Sequence, residues 1–244
     1  MTLADRLRAD DPDRYAMAML APAAARDRLL TLYALNAELA RTALSAREPM
    51  VAEMRVQWWV DRLTALKDGA PPPHELLSPL WDAWGPEAAS FSTLAEARRH
   101  DALREPFRSA AAVEAYAGAT GGALMAVAAG TLGAAGEVVR LQGLGAALVA
   151  WLRARAALQD LGLGLARPEA ATVASLGRTA RQALEEAARL RRELPRAAPP
   201  TLFAGAGLRA GLAQAESGRD PAAPSDFARR AALARLGLTG RWWL

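Results

Sequence analysis

The groups in this chain able to do acid–base or metal chemistry are few, and their spacing suits neither. Glu38 is the next carboxylate after Asp27, and Arg41 lies three residues beyond it. On a helix such a pair projects to one side, which reads as a helix-surface or cavity-wall ion pair. Magnesium needs several oxygen ligands, and one glutamate beside an arginine is a poor site for it. Further along, Arg153 and Arg155 bracket Ala154, and Asp160 stands alone before Leu161-Gly162-Leu163-Gly164, a turn it would cap or solvate. There are two histidines, His74 and His100, and no cysteine. Thiolate metal sites and disulfides are therefore excluded, and a histidine-built site is not expected. A chain free of cysteine fits a reducing compartment. Neither histidine has a nucleophile-elbow sequence for company. No dinucleotide glycine motif follows a strand, and no phosphate loop ends in Gly-Lys-Ser/Thr.

Aromatic residues carry more information. Gln57-Trp58-Trp59 is the most specific triplet in the chain. Adjacent helical residues point about 100° apart, so one ring is expected in the core and the other at a contact surface, as an interface anchor. Tyr116-Ala117-Gly118-Ala119-Thr120-Gly121-Gly122 reads as a small-residue helix face. Close approach of a ligand chain or of a neighbouring helix explains it equally.

The elements that must position these residues are helical throughout. The chain lacks isoleucine and shows no alternating β-branched runs, so the fold class is all-α. Pro22 opens a long helix bearing Leu29, Tyr33, Asn36 and Ala40 on one face. Pro49 opens the next, with Val56, Trp59 and Leu63 on one side. Gly69–Pro73 breaks the chain. Helices are expected over 76–84 and 86–103, from a Ser109 cap, over 137–156, 177–194, 201–217 and 225–236. Hydrophobic residues at 52% of 244 suffice for a core, and no low-complexity linker interrupts the chain, so residues 1–244 are read as one domain.

Charge is uneven. Residues 1–122 carry 14 basic and 17 acidic groups; residues 123–244 carry 16 and 9. A basic half suits an anionic membrane, an acidic partner or nucleic acid. No zinc-finger spacing, RNP-like motif or helix-turn-helix accompanies it, so a nucleic-acid partner is not expected. The start of the chain has no apolar signal core, and a cytoplasmic location is expected. The uncharged run from Ala115 to Gly136 has the length of a membrane span, but its many glycines favour a buried core helix. The segment Phe227–Leu236, continuing to Arg241-Trp242-Trp243-Leu244, suits a helix at an anionic membrane interface on the inner face of a bacterial membrane. It suits a plain terminal helix as well.

The order Arg14–Pro22, Leu32-Tyr33-Ala34-Leu35-Asn36 to Arg41, and Glu48-Pro49-Met50 to Leu63 resembles the squalene/phytoene synthase family. Within it, the stretch is similar to the branch of the mitochondrial complex I assembly factor and its bacterial relatives. The likeness is moderate over 109–155 and poor beyond Pro168, and Leu161–Pro168 departs from the family's Gly-x-x-Tyr-Leu-Pro. It implies an isoprenoid-synthase-type helical bundle around a central cavity. Enzymes of the family hold magnesium and diphosphate with two acidic helical motifs. The acidic positions of the first fall near Ala40, Arg41 and Leu44, and those of the second near Ala154, Ala157 and Leu158; none is a carboxylate.

The resemblance therefore implies a non-catalytic protein that needs no cofactor and binds a protein partner, a subunit or intermediate of respiratory complex I. The alternative is an active prenyl-diphosphate synthase of the squalene or phytoene type. It would assemble a magnesium site from Glu38 and Asp160 with Glu53 or Asp61. A third reading is a lipid or isoprenoid carrier. The candidate cavity or interface residues are Tyr33, Asn36, Glu38, Arg41, Gln57, Trp58, Trp59, Tyr116, Gly121, Gly122, Arg153 and Arg155.

Overall fold

Prolines, serines and glycines set many of the helix ends in this computed structural model, which describes residues 2–46 and 48–244. Among those residues there is no strand beyond an isolated bridge between Phe107 and Leu165. The chain divides into two units, Met1–Glu105 and Pro106–Leu244.

In the first unit, α1 (Leu3–Asp10) starts at a Thr2 capping box and α2 (Pro12–Leu20) at Asp11, whose carboxylate accepts from the Arg14 amide. Neither helix stands out in the sequence pattern. Helices α3 (Ala23–Ser45) and α4 (Pro49–Thr64) begin where their prolines predict. After the 68–76 loop comes α5 (Leu77–Trp84). His74, in that loop, takes the role of cap: its Nδ1 accepts from the amides of Leu76 and Leu77 at 3.1 and 3.2 Å.

The expected 86–103 helix is in fact a 3₁₀ segment, Gly85–Phe91, followed by α6 (Ser92–Ala97) and α7 (Arg99–Leu103). Ser90 and Thr93 hydroxyls donate to the carbonyls three residues back, a local alternative that competes with regular α-helix. Leu29, Leu32, Tyr33, Leu35 and Leu39 of α3 are all buried. Ala43, Ala46, Ala52, Val56 and Ala102 form a cluster of small side chains where α3, α4 and α7 meet.

The second unit begins with α8 (Ala110–Ala117), capped by Ser109, whose Oγ accepts from the Ala112 amide. A π-helical turn, Gly118–Gly122, leads into α9 (Ala123–Gly130). By length and composition Ala110–Gly130 is apolar enough to cross a membrane, but only a third of its most apolar window is buried. The buried core helix expected here is thus half-packed. Val113, Ala117, Thr120, Leu124 and Ala128 are buried, where this helical run meets α10 (Glu137–Asp160), and the opposite side stays open.

Other boundaries move too, among them the end of the expected 177–194 helix, at Arg189, and that of the expected 225–236 helix, at Thr239. Helix α10 runs to Asp160 rather than 156. Helix α11 (Ala170–Arg189) starts seven residues before Gly177, which sits inside it. There α12 (Leu208–Glu216) crosses so closely that a Cβ on Gly177 would lie 2.8 Å from the Ala215 Cβ. The expected 201–217 helix is split into a 3₁₀ turn, Pro199–Leu202, and α12, because Gly205 and Gly207 take positive φ. Helix α13 (Asp226–Thr239) closes the chain with a Ser225 cap.

Candidate functional site

In the first unit the residues at and around the first motif line a cleft of about 280 Å³ with walls from Glu38, Arg41, Thr42, Ser45, Arg55, Trp58 and Trp59. Its only acid is committed. The Glu38 carboxylate is paired with Arg41 and also accepts from the Thr42 hydroxyl at 3.2 Å. Arg41 lies 3.6 Å from Asp10 as well. Arg55 donates to the Ser45 Oγ at 2.7 Å. With Arg41 already shared between Glu38 and Asp10, Arg55 is, among the described residues, the one guanidinium of the cleft lining not set against a carboxylate, and no free carboxylate is left there to hold a cation.

The tandem tryptophans divide as the 100° offset predicts. Trp59 is 5% exposed and its indole N–H donates to Thr42 Oγ1 at 3.2 Å. Trp58 is 39% exposed. The rings meet edge to face, centroids 5.0 Å apart, and the His74 ring lies within 6 Å of both. The Arg62 guanidinium sits 5.5 Å above the outer ring. Gln57 belongs to a separate polar network on α4. It donates to Asp61 and accepts from Arg99, which also pairs with Glu53 and Glu96. The hydrogen bond to Glu96 holds the Arg99 guanidinium above its usual pKa and the glutamate below its own.

Tyr33 and Asn36 face packing partners. Tyr33 is buried, and burial pushes its phenol well above the ordinary value. The Asn36 side-chain oxygen accepts from Arg98, which is paired with the buried Asp101 at 3.1 Å. Thr42, Ser45 and Arg55 were not among the candidate residues, and His74, weighed only for metal or nucleophile chemistry, packs instead against the tryptophans. Thr42 follows Glu38, and Trp59 follows Arg55, by one helical turn, a local signal that identifies neighbours but not the cleft they share.

In the second unit, Tyr116 packs on Phe107 with ring centroids 5.2 Å apart. The glycines after it seat the helix on α10: a Cβ on Gly121 would lie 2.8 Å from that of Ala147, and one on Gly143 3.0 Å from the Gly122 Cα. The open side borders a groove of about 400 Å³ lined by Gly118, Gly122, Ala123, Ala126, Val139 and Leu144, with Glu114 and Arg140 on its wall. Arg153 donates to the Ala206 carbonyl at 2.6 Å, and Arg155 grips Asp220 through two bonds of 2.5 and 2.7 Å. Both arginines thus tie α10 to the segment after α11. The 161–164 turn is closed by Gln159, whose amide brackets Leu165, whereas Asp160 is the exposed last residue of α10.

A magnesium–diphosphate site does not fit these residues. Glu53 is paired with Arg99, Asp61 is bonded to Gln57, and Glu38 is paired with Arg41. Among the described residues no group of three His, Cys, Asp or Glu side chains is placed to hold a metal ion.

The model of the squalene/phytoene synthase family matches residues 7–167. Solved structures similar to the chain include a dehydrosqualene synthase crystallised with ligand, at TM-score 0.72 and 14% identity, over 96% of this chain and 93% of that one. Another is the squalene synthase HpnC from Alicyclobacillus acidocaldarius, at TM-score 0.65 and 13% identity, over 97% and 92%. At such identities these likenesses speak for the fold, an isoprenoid-synthase-type helical architecture. No curated protein sequence matches significantly. Since the family model spans well over half of the sequence, the chain belongs to the squalene/phytoene synthase family.

Proposed function

We propose that this protein is a non-catalytic member of its family that works by binding a protein partner, in the assembly or maintenance of respiratory complex I. The observation that carries the non-catalytic half is the cleft at the first motif. Its single glutamate is neutralised by Arg41 and hydrogen-bonded by Thr42, where ionising a diphosphate calls for clustered carboxylates and magnesium. The partner half is supported by the similarity of residues 14–63 to the assembly-factor branch and by the half-exposed Trp58, a ring of the type enriched at interfaces. The expected site of action is the cytoplasmic side of a bacterial membrane.

Deleting the gene tests the reading: complex I assembly and NADH-driven activity should fall and return with the wild-type copy. Unchanged assembly would overturn it. Purified protein incubated with farnesyl or geranylgeranyl diphosphate and Mg²⁺ should give no squalene- or phytoene-type product. Turnover lost in Glu38→Gln would install the prenyl-synthase reading instead.

The groove beside Gly118 and Gly122 favours a second reading, an isoprenoid or lipid ligand. Its apolar floor is open on the unpacked side of Ala110–Gly130. Native mass spectrometry after gentle purification would show an apolar adduct, displaced in Ala126→Trp; a bare chain mass would exclude it.

A further inference from the structure

The outward face of α13 carries more apolar surface than a solvent-facing helix needs. Phe227 and Leu238 are 83% and 87% exposed, and Ala231 and Ala234 between them are exposed too. Steps of four, three and four residues put all of them on one side, over about 16 Å of helix. The other side is anchored. Leu236 is buried, Leu233 packs into the cluster containing Leu202 and Trp242, and Ser225 caps the start. Of the terminal tryptophans, Trp242 is in that core, 5% exposed, so the apolar surface comes from α13 itself.

Charge surrounds this stripe with one sign. From Phe227 to Leu244 there are four arginines and no carboxylate side chain. Arg230, Arg235 and Arg241 are exposed, and among the described residues none has an ion-pair partner. The acid at the helix start, Asp226, sits 3.4 Å from Arg229. A groove of about 690 Å³ adjoins the same region, lined by Ala231 and Arg235 of α13 together with Phe203, Arg209, Trp242 and Trp243. Bulky apolar side chains ringed by unpaired guanidiniums match the boundary between phosphate headgroups and acyl chains.

We propose that α13 docks this protein flat on a bilayer containing anionic phospholipid. Phe227 and Leu238 insert into the acyl boundary, and Arg230, Arg235 and Arg241 meet the phosphates. This docking is independent of the complex I reading, and its failure would leave that reading standing.

The test is co-sedimentation of the full chain with phosphatidylcholine vesicles, with and without phosphatidylglycerol. Binding is expected only to the anionic vesicles and should weaken as salt is raised. Arg230→Gln with Arg235→Gln should lower the partition coefficient by about 25-fold, about fivefold per arginine. Phe227→Ser with Leu238→Ser should lower it by about tenfold or more. The two double variants act on different side chains, so a folding defect in one, read from its thermal unfolding, leaves the other decisive. Equal binding to neutral vesicles, no binding to anionic ones, or full binding by a folded double variant would overturn the proposal. So would a wild type that ignores vesicles while the stripe variant loses a protein partner, which would make α13 a protein interface.

Discussion

Truncating the two adjacent tryptophans separately should give opposite results. Trp59 is almost completely buried, contacts Trp58 and His74 edge to face or nearly so, and donates to Thr42. Replacing such a ring with alanine removes its transfer energy and leaves a cavity between α3 and α4, at a cost of about 3–5 kcal/mol. In a chain of this length each kcal/mol moves Tm by about 2–4 °C, so Trp59→Ala should lower Tm by about 6–20 °C. Trp59→Phe keeps most of the apolar area and forfeits the N–H donor to Thr42, a loss of about 1 kcal/mol.

Trp58 presents a different balance. Its ring is 39% exposed and is held by the Arg62 guanidinium at 5.5 Å, an exposed cation–π contact worth about 0.5–1 kcal/mol. Adding the edge-to-face contact with Trp59 at 5.0 Å, worth about 0.5–1.5 kcal/mol, Trp58→Ala should lower Tm by about 2–10 °C, less than Trp59→Ala does, while failing to restore complex I assembly in the deletion strain. Thermal unfolding followed at 222 nm, paired with complementation, reads both. A Trp58 variant as unstable as the Trp59 one would refute the division of roles, as would a Trp59→Ala protein melting within a few degrees of wild type.

Gly177→Ala gains helix propensity of about 1 kcal/mol. However, its Cβ would lie 2.9 Å from the Glu216 backbone nitrogen, and overpacking against backbone costs about 1–3 kcal/mol. The urea midpoint should fall with unchanged slope, and a raised midpoint would show that α12 yields. Asp220→Ala strands the Arg155 guanidinium, whose side chain is 17% exposed, and should cost about 1–3 kcal/mol. Glu137→Ala, which breaks the exposed pair with Arg140, should leave the urea midpoint essentially unmoved; equal losses in the two would contradict the burial argument. The carboxyls of Glu75, Glu96 and Glu137 are held below their ordinary value of 4.5 by hydrogen bonds from Arg6, Arg99 and Arg140. A depressed folded pKa gives stability that is present above the unfolded value and lost as pH falls through the folded one. Stability should thus drop below about pH 4.5, and Glu96→Gln should flatten that acid limb in urea titrations at several pH values.

Residue type and spacing by themselves determined the helical class, the starts of α3, α4 and α8, the turns at 69–73 and 161–164, and the division between Trp58 and Trp59. Each of these rests on interactions within a turn or two of the chain: a proline without an N–H, a serine hydroxyl within reach of an amide, the 100° step between neighbours. That Ala40, Arg41 and Leu44 stand where relatives carry carboxylates is what the family resemblance implied, not what spacing showed. The Glu38–Arg41 pair was legible from its spacing, but tertiary structure alone decided what Arg153 and Arg155 do. Arg153 finds Ala206, and Arg155 finds Asp220, more than 50 positions away, and no local pattern encodes such a partner. Gly177 reads as a helix start, yet lies inside α11, where the close passage of α12 leaves no room for a Cβ. The run from Ala115 to Gly136 suggests a core by its composition, but burial depends on which neighbours arrive, and they cover one side of it.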